Sequence, residues 1–225
     1  VTERAKWAET HLQYRFASPE LLEQALTHRS ASRDNYERLE FLGDAFLNLA
    51  VAARLYELRR EYAEGDLSRA RASLVNKSML AAIARELGIE RMTIVGPGER
   101  RTGGAQRGSV IADTLEALIG AIFLDGGHRA AYDFIMRIYR DRIETLPEPQ
   151  ALKDAKTRLQ EWLQARSLPL PTYSVDAVTG KEHEKSFRVV CSLEDGSRSS
   201  VGSGRSRRRA EQAAAANLLA ELLGE

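Results

Sequence analysis

Apolar residues recur at intervals of three and four through most of the first 146 positions. The segments PELLEQALTHRS, ERLEFLGDAFLNLAVAARLYEL, EGDLSRARASLVNKSMLAAIARELG, GSVIADTLEALIGAIFLDGG and RAAYDFIMRIYRDRIETL all carry this period, which predicts amphipathic helices. Ser18-Pro19 marks one helix start, and Gly88 and Gly126-Gly127 mark helix ends. No convincing strand pair is present in this part. The period changes after TLPEPQALKD, a stretch with two prolines and little apolar pattern. DAKTRLQEWLQARS is amphipathic, PTYSVDAV and KSFRVVCSL alternate, EDGS supplies a hairpin turn, and RSSVGSG is a third short strand. SRRRAEQAAAANLLAELL closes the chain as an alanine-rich helix. The pattern predicts an all-α domain over 1–146, a linker over 147–151, and an α+β domain of α-β-β-β-α order over 152–225.

Composition narrows the setting. The chain has 225 residues, a formal net charge of +1 and a single cysteine, Cys191. One cysteine cannot form an internal disulfide, so a reducing, cytoplasmic setting is expected. The charged start, VTERAKWAETH, does not read as a secretory signal. Asp44, Asp113 and Glu116 interrupt the apolar stretches before a membrane span is reached.

Two acidic groups sit inside apolar segments. In ERLEFLGD, Glu37, Glu40 and Asp44 fall within about 60° of one another at 100° per residue. The stripe Leu39, Leu42, Phe46 and Leu49 lies on the opposite side. Taken alone, that arrangement favours a solvated acidic face. VIADTLEALIGAIFL is apolar almost all round, so it is expected to be central and buried, yet it carries Asp113 and Glu116 one turn apart. Buried carboxylates are costly unless paired or bound to a cation. No basic residue within that helix can neutralise them, which leaves an arginine elsewhere as the structural alternative. Ala117 and Gly120 leave room for a second helix to approach. If the two helices pack together, an all-oxygen cluster results, the ligand set of Mg²⁺ or Mn²⁺ rather than zinc. Such an ion suits phosphodiester hydrolysis.

Other candidates are weaker. VGPGERRTGG lacks the strand–glycine–helix order of a phosphate cradle and reads as a flexible loop, with Arg100, Arg101 and Arg107 as possible anion contacts. His28 reads as a hydrogen-bonded structural residue and Cys191 as core. In the C-terminal part, five arginines and no acid lie between Arg198 and Arg209. They gather where the last helix begins, which opposes the helix dipole but suits phosphate. The absence of paired surface aromatics favours a duplex over single strands.

These blocks resemble the bacterial ribonuclease III family over nearly the full length. ERLEFLGD matches its signature and ADTLEALIGAIFLD its second acidic motif. LTHRS, EGDLSRARASLVN and GPGE match further blocks in order. KTRLQEWLQ and GSGRSRRRAEQAAA resemble the first helix and the basic helix start of a double-stranded-RNA-binding domain. The resemblance implies a homodimeric endonuclease that cuts RNA duplexes with Mg²⁺, for which Mn²⁺ substitutes, with no organic cofactor and no membrane association. Its products carry 5′-phosphate and 3′-hydroxyl ends with short 3′ overhangs, in rRNA-precursor, mRNA and other structured-RNA processing. It implies that Glu40, Asp113 and Glu116 ligate metal, that Asp44 organises metal and water, that Glu37 supports the cluster and RNA contact, and that Phe41 belongs to the dimer interface. Thr157, Gln160, Glu161 and His183 are implied in minor-groove contacts, and Arg207, Arg208 and Arg209 in major-groove phosphate contacts. Tyr36 and Ala45 depart from the family's usual Asn and Ser. A non-catalytic duplex-binding protein on the same scaffold is the rival reading, and the intact acids argue against it. A helical metalloprotein without an RNA role leaves the second domain unexplained.

Overall fold

The computed structural model describes residues 2–180 and 184–224. The chain divides into two compact units, Val1–Pro147 and Glu148–Glu225. Among the described residues, no helix is long and apolar enough to cross a membrane.

The first unit is helical. It contains α1 (Glu3–Trp7, continued by a wider π turn to Leu12), α2 (Pro19–Ala25), α3 (Glu37–Leu58), α4 (Glu64–Leu74) and α5 (Lys77–Glu86). The short α6 (Ile89–Met92) and α7 (Pro97–Arg101) follow, then α8 (Gly108–Glu144). Gly127, at φ 76° and ψ −176°, breaks α8 in two, where the Gly-Gly pair predicted an end. A single parallel bridge joins Thr27 to Ile94. The apolar segment of α8 is buried on all sides from Val110 to Ile122, apart from Asp113. Asp125 ties the N-terminal segment to this helix, accepting hydrogen bonds from the Tyr14 hydroxyl (2.7 Å), Ala17 N (2.9 Å) and Ser18 N (2.8 Å).

The structure corrects three of the sequence expectations. The segment 64–88 is two helices, because the Asn76 side chain accepts from Met79 N (3.0 Å) and caps a new helix. The stretch 95–104, expected to be a flexible loop, carries local structure: Pro97 starts a helical turn, a 3₁₀ turn spans Gly104–Gln106, and Arg107 pairs with Glu99 at 3.4 Å. On α3 the buried residues are Leu39, Gly43, Phe46, Leu47, Ala50, Val51 and Leu55. Leu49, expected in the apolar stripe, is 60% exposed, beside Phe41 at 78% and Tyr56 at 73%. The buried side of α3 is thus rotated towards its acids, and an apolar stripe is left in solvent.

That rotation follows from glycine. A Cβ on Gly43 would overlap the Glu116 carbonyl and lie 2.9 Å from Gly120 N. A Cβ on Gly120 would overlap the Leu39 carbonyl. The backbones of α3 and α8 therefore meet where each lacks a side chain.

The second unit holds a helical turn α9 (Pro149–Leu152), overlapping the stretch expected to be linker, then α10 (Ala155–Gln164), β1 (Thr172–Thr179), β2 (Ser186–Ser192), β3 (Ser199–Gly204) and α11 (Arg207–Leu223). The strands form an antiparallel sheet in order β1-β2-β3. Gly196, at φ 68°, makes the β2–β3 turn. Leu159, Leu163, Cys191, Ala214, Ala215, Leu218 and Leu219 form the core. The alanines have a steric purpose: α11 lies so close to β3 that a Cβ on Gly202 would meet its backbone at Ala210 and Ala214.

Gly43→Ala and Gly120→Ala should each destabilise the helical unit by ~3 kcal/mol or more, the upper end for overpacking, because the obstacle is backbone rather than a movable side chain. Calorimetric melting of the full chain checks this. The transition of the first unit should fall and that of the second stay in place, whereas an unchanged first transition would contradict the close approach.

Candidate metal centre and nucleic-acid interface

The close approach of α3 and α8 brings Glu40 against Asp113 and Glu116. One carboxylate oxygen from each lies within 4.8 Å of the others. Glu116 is buried, at 4% exposure, while Glu40 and Asp113 are partly exposed. The donor set is all oxygen, which fits a hard divalent cation with positions left for water.

The charge arrangement is strained as it stands. Burial, then the like charges of Asp44, Asp113 and Glu40, push the Glu116 carboxyl up to about 8 against the relief given by Lys77. Burial and Asp113 also raise Glu40. The compensating cation is Lys77, the first residue of α5. Its ammonium pairs with Asp113 and lies 3.9 Å from Glu40 and 3.8 Å from Glu116. Burial works against the Lys77 charge, but the hydrogen bond to Asp113 and the three carboxylates outweigh it and raise its pKa. Sequence reasoning looked for a cation within α8 or an arginine elsewhere and missed this lysine. The available signal was a basic residue directly after a helix-capping asparagine, where a lysine opposes the dipole.

Asp44 and Glu37 lie outside the three-carboxylate cluster and are exposed. Asp44 is one turn along α3 from Glu40, and its carboxylate accepts from Asn48 Nδ2 at 2.9 Å. Glu37 pairs with Arg29 at 3.4 Å. Tyr36 is buried beneath the acids and meets the His28 ring edge-on. His28 is itself held by the Ser30 hydroxyl (2.7 Å), as a structural histidine. Phe41 projects into solvent on the apolar stripe with Leu49 and Tyr56.

In the second unit, Leu159 and Leu163 turn α10 onto the core, leaving Thr157, Gln160 and Glu161 on the other side. Glu161 is held by Lys153 Nζ at 2.6 and 2.8 Å. Arg207, Arg208 and Arg209 are exposed in the first turn of α11, which Ser206 caps through Arg209 N. Arg207 pairs with Glu211 at 2.9 Å, and Glu211 also receives Lys156 of α10 at 2.8 Å. The first turns of α10 and α11 thus meet at one end of this unit. His183 lies outside the described residues.

A helical domain with a carboxylate cluster, followed by a helix–sheet–helix domain with a basic helix start, is the arrangement expected of a two-domain nuclease of double-stranded RNA. Comparisons with known proteins agree. The ribonuclease-III-like family model matches residues 18–143, and the double-stranded-RNA-binding motif matches residues 155–222. The chain is 53% identical to ribonuclease 3 of Nitrosococcus oceani, covering 95% of this chain and 93% of that one. It is 50% identical to that of Alkalilimnicola ehrlichii, covering 95% and 94%. Among solved structures it is similar to the nuclease domain of ribonuclease III from Campylobacter jejuni, with TM-score 0.61, 38% identity, and 65% of this chain and 100% of that one covered. The chain belongs to the ribonuclease III family of double-stranded-RNA endoribonucleases.

In metal-free solution, the raised Glu116 carboxyl should make stability depend on pH. The folded form keeps a proton that the unfolded chain releases above its ordinary 4.5. This contribution is therefore complete below about 4.5 and is lost as pH rises through about 8. Glu116→Gln removes it. With chelator present, the variant should melt close to the wild type at pH 5 and above it at pH 9, by roughly 2–4 °C per kcal/mol relieved. A constant difference across that range would contradict the assignment.

Proposed function

We propose that the protein hydrolyses phosphodiester bonds in RNA duplexes with Mg²⁺ held by Glu40, Asp113 and Glu116, and that Mn²⁺ substitutes. The observation that carries this reading is the convergence of three carboxylate oxygens within 4.8 Å, one of them on a buried glutamate. The cation, when bound, acidifies water and offsets charge on the leaving oxygen. Glu116, enclosed by α3 and α8, fixes one ligand position, and Glu40 and Asp113 complete the set from the two helices. Asp44, steadied by Asn48, holds the attacking water by hydrogen bond. Glu37, at the solvent edge, supports the cluster and meets RNA. The water oxygen bonds to phosphorus and the P–O3′ bond breaks, which leaves 5′-phosphate and 3′-hydroxyl ends.

The second unit supplies affinity rather than chemistry. Thr157, Gln160 and Glu161 face the minor groove, and Arg207, Arg208 and Arg209 straddle the phosphates of the major groove; the further minor-groove contact expected of His183 falls outside the described residues. The arginines read backbone, so binding is independent of sequence. Structured RNAs such as rRNA precursors and mRNA in the cytoplasm are the natural substrates in this reading.

The working form is a homodimer through the Phe41 face. An apolar stripe of Phe41, Leu49 and Tyr56 left in solvent is the pattern of an interaction surface. The related Campylobacter jejuni structure is described as having a region involved in dimer formation of its nuclease domain.

One labelled duplex tests the division of labour. Glu116→Gln should bind it as the wild type does but cleave more slowly by a factor on the order of 10²–10³, the scale for losing one charge-stabilising group. Replacing Arg207, Arg208 and Arg209 with Ala should weaken binding equally for unrelated duplexes. Each lost contact should flatten the log–log salt dependence by roughly 0.9, on B-DNA scaling. Equal losses of binding and cleavage in Glu116→Gln, or a sequence-selective loss in the arginine variant, would contradict the reading. For the dimer, Phe41→Ala should raise the sedimentation-derived dissociation constant by roughly tenfold or more, the scale of losing an aromatic interface anchor. An unchanged constant would remove Phe41 from the interface.

A further inference from the structure

Lys77 stands apart from the acidic residues that define the cluster. Its backbone is fixed, since Asn76 caps α5 by accepting from Met79 N at 3.0 Å and ties back to Ser73 O at 2.7 Å. Its side chain is mostly solvent-exposed along its length, yet the ammonium is drawn in among Glu40, Asp113 and Glu116. Among the described residues, every ion pair to these three carboxylates comes from Lys77. The first turn of a helix is an unfavourable place for a cation, so the attraction of the acids has to outweigh that local penalty.

We infer that Lys77 is a resident counter-cation of the carboxylate cluster, which holds the metal-free site together and must be displaced when a divalent cation binds. This inference rests on the metal site proposed above. Three carboxylates crowded around a buried position repel one another, and a single positive charge offsets part of that repulsion. A lysine suits the task because its charge is compact and its four-carbon stem can swing away without moving the helix. An arginine's rigid fork would be harder to release. The divalent cation brings two charges where Lys77 brings one, so exchange is favourable but weaker than filling an empty cluster. Lys77 therefore sets the cation concentration at which the enzyme loads, and protects the folded apo form below it. It is a positioning residue, not a catalytic one.

The test uses the full chain without RNA, Mn²⁺ alone as the probe, and titration calorimetry as the readout. Lys77→Gln should bind Mn²⁺ roughly tenfold or more tightly, the scale of removing one nearby unit charge at an effective dielectric constant of about 20. In chelator the same variant should melt at a lower temperature than the wild type, and it should gain more from added Mn²⁺. Lys77→Arg, which keeps the charge, should bind Mn²⁺ no more tightly than the wild type. Glu116→Gln serves as the reference for the site. If it abolishes Mn²⁺ binding while Lys77→Gln leaves affinity unchanged or lowers it, the counter-cation role is overturned and the metal site stands. If Glu116→Gln binds Mn²⁺ as the wild type does, the metal site itself is wrong and this inference falls with it.

Discussion

The contact between two glycines sets what this protein can do. Gly43 on α3 and Gly120 on α8 let the two backbones approach to a distance that no side chain would permit. The consequence is electrostatic. Glu40 is carried to within reach of Asp113 and Glu116, in a place from which water is largely excluded on the Glu116 side. Carboxylates so placed repel one another, and burial together with that repulsion makes Glu116 and Glu40 harder to ionise than in water. The fold tolerates the cluster because the surrounding helix is buried and packed, so the stability of α8 is set against the discomfort of its acids. A local cost of this kind at a functional site is expected where the rest of the structure over-determines the geometry.

Much of this was legible in the sequence. The all-round apolar character of 110–124 announced a central helix, and its two acids were then anomalous enough to demand a cation. The change of period after the proline-containing stretch announced a second, sheet-containing domain. The alanines of α11 and Gly202 on β3, both within the block GSGRSRRRAEQAAA, are two sides of one steric fit that the sequence did not reveal. Helix geometry alone misjudged the faces of α3. A 100° wheel weighs large apolar side chains, and so it turned Leu49 inward and the acids outward. In the structure the closest approach is made at Gly43, which carries almost no hydrophobic weight, and Leu47, Val51 and Leu55 complete a buried face turned towards the acids. Of the expected stripe Leu49 is the residue so displaced, and it faces solvent along with Phe41 and Tyr56.

What the sequence hid was relational. Lys77 lies thirty-six positions before Asp113 and on a different helix, and no periodicity connects them. Asn76 carried a faint signal, a capping residue followed by a lysine, but it lay inside a continuous helical pattern and the break it makes was not read. The GPGE segment misled in the opposite direction. Its glycines suggested a loose loop, yet proline at a helix start and an internal Glu99–Arg107 pair give it two short turns.

The two units differ in their charge. One gathers three carboxyl groups, that of Glu116 buried, between two packed helices, and the other presents positive charge at an exposed helix start. The proposed division of labour rests on that difference, since phosphate is attracted by cations and a hard metal ion by oxygen ligands. The central claim is that glycine-mediated packing builds one cation site from Glu40, Asp113 and Glu116. Anomalous X-ray diffraction from crystals of the full chain grown with Mn²⁺ tests it most directly. The account predicts a peak coordinated by those three carboxylates, with the Lys77 ammonium displaced from among them. A peak ligated by other residues, or density showing Lys77 still inserted and no Mn²⁺ at saturating concentration, would contradict it.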